Sequence, residues 1–180
     1  MQKLLLSILI IILIPIIIED FKFRKISLIW LIIILIASFF LQLNTNLNLY
    51  DIAVNTFFNL CFIAVNYCIL TAYFSLKNKR LINLGSHYLG AGDLIFLISL
   101  SFLFSPLNFV GFILISLLFA LVFSLLIRFI SPGKFKTIPL AGLQSAFLIF
   151  MLIILFSQHK VWSINNDQFI LNMITTYAGY

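Results

Sequence analysis

Apolar residues run along this chain in long blocks, and polar residues are confined to the joints between them. Leu4 to Ile18 is nearly pure aliphatic and stops at Glu19-Asp20. Ile26 to Leu43 follows, then a polar stretch from Asn44 to Asp51, then Ile52 to Leu76. A weaker block, His87 to Ser105, contains Asp93, and Leu107 to Ile127 and Ile138 to Ser157 complete the series. In hydrocarbon a segment must satisfy its own backbone, so each block predicts a helix. Leu94 to Ile127 as one helix would be about 51 Å long at ~1.5 Å per residue, against a bilayer core of ~30 Å. A break is expected at Ser105-Pro106-Leu107-Asn108. The pattern predicts an all-α, polytopic integral membrane protein of about six transmembrane helices over residues 1–157. Residues 158–180 form a tail.

Composition agrees with this reading. Of 180 residues, 63% are hydrophobic and 9% charged, against about half and about a quarter in soluble domains. Mean hydropathy is +1.20. Cys61 and Cys68 both lie in an apolar run, which leaves no disulfide framework and no four-cysteine zinc site. The net charge of +6 is distributed as a topology signal and not as a nucleic-acid surface. Lys22, Arg24 and Lys25 follow the first span, Lys77, Lys79 and Arg80 the third, and Arg128, Lys134 and Lys136 the fifth. With six spans these nine share one side, and only Lys3 and Lys160 lie opposite, so the basic loops are expected in the cytoplasm and both termini outside. Lys3 ahead of an apolar run also fits a signal peptide, but Ile16, Ile17 and Ile18 offer no small-residue cleavage pattern.

Ionisable groups at membrane depth are costly and mark chemistry. The acidic residues are Glu19, Asp20, Asp51, Asp93 and Asp167. Topology puts Asp20, at the end of span one, and Asp93, after Gly90-Ala91-Gly92, at the same cytoplasmic depth. Two carboxylates in a low-dielectric site cannot both ionise easily and hold one proton between them. That is the state aspartic proteolysis needs: one takes a proton from water and the other donates to the developing oxyanion. Gly90 and Gly92 would let a substrate backbone approach. The bland alternative has Asp20 in a wet loop with Lys22 and Arg24, and Asp93 capping a helix.

Gly90-Ala91-Gly92-Asp93 resembles the GxGD signature of intramembrane aspartic proteases. Asp20-Phe21-Lys22-Phe23-Arg24-Lys25-Ile26 is similar to the first aspartate motif of type IV prepilin leader peptidases and archaeal preflagellin peptidases. There an aspartate ends a span, a basic stretch follows, and Ile-Pro-Asn opens the next span. Ile138-Pro139-Leu140-Ala141 resembles the start of a late family span. The resemblance implies Asp20 and Asp93 as the catalytic pair, with Gly90 and Gly92 supporting the motif and no metal or cofactor. It implies a prepilin-like membrane protein as substrate, cut after its short basic leader at the cytoplasmic face of the plasma (inner) membrane. The chain departs from the pattern at Ser27-Leu28, where the family has Pro-Asn, and at Ile95, where it often has Lys. The cysteine-rich zinc domain and the methyltransferase half of many bacterial relatives are absent, so methylation is not expected. A non-catalytic membrane protein of the same fold, such as a small transporter or assembly subunit, is the rival reading.

Other polar positions carry less. Tyr50-Asp51 resembles the Tyr-Asp motif of presenilin-like proteases but falls on the outer side, a bilayer away from Asp93. Asn55, Asn59, Asn66 and Tyr73 lie within about 40° on a helix and are expected to face the bundle, as interhelical glue or as a wet path. His87 reads as an interfacial loop residue, with His159 on the opposite side. In the tail, Phe169, Ile170, Met173, Ile174 and Tyr177 repeat at helical spacing after Asn165-Asn166-Asp167, predicting a short interfacial helix. Basic loops on the cytoplasmic side suit anionic lipid better than a basic leader.

Overall fold

The computed structural model describes residues 2–45, 47–79, 90–130 and 139–157, together with Asp167. The described residues contain helices and no strand. The helices are α1 (Gln2–Phe23), α2 (Leu28–Leu43), α3 (Leu49–Asn78), α4 (Ala91–Ser101), α5 (Pro106–Ile130) and α6 (Leu140–Ser157). Three of them, α1, α3 and α5, are long and apolar enough to cross a membrane; α2, α4 and α6 are shorter apolar helices. The predicted break between the fourth and fifth blocks is present, with Pro106 as the first residue of α5, where its missing N–H is no loss. The fourth block differs from expectation. Its helix covers only 91–101, about 16 Å at ~1.5 Å per residue, and does not run from His87 to Ser105. Gly90 caps it in an extended conformation, and the chain turns after Ser101. Helix α1, by contrast, runs past Glu19-Asp20 to Phe23. The charges mark where the apolar block stops without stopping the helix.

The helices pack as a closed ring in the order α1, α2, α4, α3, α5, α6, with α4 also touching α6 across the interior. Four of them use a seam with alternating three- and four-residue steps. On α1 it is Leu6, Leu9, Leu13, Ile16 and Asp20; on α2, Leu31, Ile34, Ser38 and Leu41. On α3 it is Ile52, Thr56, Asn59 and Ile63, and on α6 Ala141, Ser145, Leu148 and Leu152. This is the spacing of helices crossing at shallow angles. The interior is mainly aliphatic and aromatic but also holds polar side chains, and the outside is greasy. Ser38, Gln42, Ser99, Ser116, Gln144 and Ser145 are buried, while Ile11, Ile29, Leu118, Leu121 and Phe150 are exposed. Small and hydroxylated residues between helices, with large aliphatics outside, are what a lipid solvent favours.

The turn after α4 is held by side-chain amides. Asn59 donates through Nδ2 to the carbonyls of Ser101 (2.9 Å) and Phe104 (2.8 Å), and Gln42 donates to that of Leu103 (3.0 Å). Carbonyls released by the broken helix are thus satisfied inside the bundle. Asn59 is therefore glue, but the rest of the expected α3 stripe is not. Asn66 and Tyr73 are exposed, and Asn66 bonds back to the Phe62 carbonyl of its own helix. Among the described residues, no position of α3 beyond Ile63 is buried, although the common angle continues past it. His87, His159, Arg80, Lys134, Lys136, Lys160 and the predicted tail helix lie outside the described residues, apart from Asp167.

Candidate active site

Asp20 is the last member of the α1 seam, one heptad beyond Leu13 and four residues beyond Ile16, and is 6% exposed. A carboxylate there points at the same neighbours as the leucines before it. Glu19 is turned about 100° away and serves the other side. It accepts from the Ser27 amide and hydroxyl and from the Trp30 indole N–H. Adjacent acids, identical in charge, thus face different helices.

Asp93 lies in the first turn of α4, three residues after the Gly90 cap. The Gly90 amide and the charge of Asp20 both act on its carboxylate. A Cβ on Gly90 would stand 3.1 Å from Asp93 Oδ2, and one on Gly92 would touch Ile26 at 3.4 Å. Gly90 is therefore needed to leave the carboxylate room, and Gly92 to let the α1–α2 connection approach.

The two acids meet on α6. Its N-terminus is buried, from Pro139 through Ser145 apart from Leu140, and the first amides of a helix have no partner within it. The Ala141 amide donates to Asp93 Oδ1 at 3.2 Å and the Gly142 amide to Asp20 Oδ2 at 2.6 Å. Consecutive amides thus hold carboxylates that come from α1 and α4, at the helix end whose dipole favours negative charge. Gly142 is required for this contact, since a Cβ there would meet Asp20 Oδ2 at 3.1 Å and the Phe21 ring at 3.0 Å. Ala141 and Gly142 are the site residues that motif reading missed. The available signal was Ala141-Gly142, two residues after Pro139, at a helix start that the charge pattern put on the cytoplasmic side.

Beside the acids is a cavity of about 320 Å³, walled by Asp20, Arg24, Lys25, Ile26 and the stretch Gly90 to Asp93. Asp20 Oδ1 and Asp93 Oδ2 take no part in the two α6 bonds, and both acids border the cavity. Such an arrangement can share a proton and polarise a water against a carbonyl. Asp51, also singled out in the sequence, is not brought here. It lies two turns before Asn59, and Asn59 bonds the far end of α4 from Asp93. No three His, Cys, Asp or Glu side chains among the described residues group as a metal site. No family model, curated protein or solved structure matches the chain. The family likeness rests on the motifs themselves.

Proposed function

We propose that this chain is a six-span aspartic endopeptidase of the plasma membrane that removes the short leader of prepilin-like proteins at the cytoplasmic face. The observation that carries the proposal is the placement of Asp20 and Asp93, from different helices, on consecutive amides of α6 beside one cavity. One carboxylate takes a proton from water as the water attacks the scissile carbonyl, and the other, protonated, donates to the carbonyl oxygen. Gly90 leaves the Asp93 carboxylate room, and Gly92 lets Ile26 pack beside it. The carboxyl pair and water suffice for this reaction, without metal or cofactor. Both termini lie outside, and Lys22 rests against anionic lipid while Arg24 and Lys25 border the cavity. The leader is then selected by its position before an apolar helix more than by its charge.

The test is co-expression with tagged prepilin-like proteins from the same genome, comparing wild type with Asp20→Asn and Asp93→Asn. A leader-sized loss in wild type alone is the expected result. Candidates left intact by the wild type, or cut by an Asn variant, would overturn the proposal in favour of a transporter or assembly subunit. Uptake assays identify the first of these.

A further inference from the structure

The connection from α1 to α2 spans residues 24–27 and is grasped by one carboxylate. Glu19 Oε2 accepts from the Ser27 amide at 2.7 Å, and Oε1 accepts from the Ser27 hydroxyl at 2.9 Å and Trp30 Nε1 at 3.1 Å. With three donors on it, this side chain is occupied in holding a turn. Inside that turn Arg24 has φ 56°, a left-handed conformation that a side chain disfavours and that surrounding contacts must enforce. Ile26 comes next to Ser27 and lies against Gly92, so that a Cβ on Gly92 would stand 3.5 Å from the Cβ of Ile26. Glu19 directly precedes Asp20, and Gly92 directly precedes Asp93. A short mechanical chain therefore joins the two acid-bearing segments, running from Glu19 through Ser27 and Ile26 to Gly92.

We infer that Glu19 is a positioning residue, whose bonds to Ser27 and Trp30 set the turn that seats Ile26 on Gly92 and so fixes Asp20 relative to Asp93. Its catalytic consequence rests on the peptidase reading; its geometric content does not. The backbone of Ser27 gives the inference a sharp consequence. Ser27 sits at φ −66° and ψ 131°, which is the conformation a proline ring imposes. Ile26 is outside any helix, as the residue before a proline prefers to be. A proline at 27 would hold the same φ covalently while having no N–H to offer Glu19. Hydrogen bonds and a ring are thus alternative ways to hold one turn, and Ser27→Pro should compensate for loss of Glu19.

The geometric arm uses the full chain in native membranes with Cys61 and Cys68 changed to Ser, carrying Ile26→Cys and Gly92→Cys. A Cβ separation of 3.5 Å falls in the disulfide range of about 3.5–4.5 Å. Mild oxidation is expected to cross-link this pair readily, more slowly once Glu19→Ala is added, and readily again once Ser27→Pro is added to that. The catalytic arm uses native Ile26 and Gly92. There Glu19→Ala is expected to lower kcat about 10- to 100-fold with KM unchanged, the scale of a misplacement of about 1 Å. The Glu19→Ala/Ser27→Pro chain is expected to recover it. If Glu19→Ala does not accumulate in the membrane, Trp30→Phe, which deletes one bond and keeps the ring, carries the same comparison. Unchanged cross-linking without the clasp, or no recovery with Ser27→Pro, would overturn the inference. If the wild type cuts no leader, the peptidase reading falls, while the cross-linking rates still decide on the clasp.

Discussion

At its C-terminal end, α4 hands carbonyls of Ser101, Leu103 and Phe104 to Gln42 and Asn59, and both donors are almost fully buried. At its N-terminal end, about 16 Å away along the helix, Asp93 meets Asp20 on two amides of α6 beside an open cavity. Both ends carry polar groups in an apolar setting. At the first, amide donors are matched to the carbonyls and are almost fully buried, so the polar groups hold the bundle together. At the second, each carboxylate uses one oxygen on α6, and both acids border the cavity. Buried polarity becomes chemistry where it can be reached.

Substitutions at the two ends should therefore fail in different ways. The largest effect is expected from Asp20→Asn or Asp93→Asn, with turnover falling by about 10²- to 10⁴-fold. The amide oxygen of Asn can still accept from α6, so membrane level and thermal unfolding should stay near wild type. Gly142→Ala is expected to come next, with kcat lower by about 10- to 100-fold, because its methyl displaces Asp20 or the Phe21 ring. Asn59→Leu should do the reverse, costing about 1–2 kcal/mol of bundle stability in a detergent unfolding titration while the folded fraction keeps its kcat. The smallest effect is expected from Gly111→Ala in α5, where an added Cβ meets nothing within 4 Å. Greater helix propensity should stabilise it by about 0.5–1 kcal/mol without changing activity. An Asn59→Leu chain that is stable but inactive would break the contrast between the two ends.

Much of this was legible in the sequence because lipid leaves a chain few options. The apolar blocks gave helices, the excess length from Leu94 to Ile127 required a break, and Pro106 located it. The charge pattern put Asp20 and Asp93 at one depth, and the fold brings them together. What could not be read was direction around each helix. Nearly every residue of α1 from Leu4 to Ile18 is apolar, so no face stands out, and only packing shows that the Leu6–Leu9–Leu13–Ile16 seam leads to Asp20 and away from Glu19. The asparagines of α3 misled for the opposite reason: their common angle was real, but among the described residues no position of α3 beyond Ile63 is buried. Backbone donors were hardest to foresee, since Ala141 and Gly142 act through amides that every residue but proline possesses.

The outlying part of α3 has one practical use. Cys61 and Cys68 are both exposed and lie seven residues apart, about 10 Å along the axis. They lie on either side of Ile63, the last buried residue of α3 among those described. A fluorophore on either thiol would sit on the outer surface of the bundle, and quenchers fixed at different acyl-chain depths would rank the two positions. Two native atoms thus form a built-in depth gauge for the direction in which the chain crosses the bilayer.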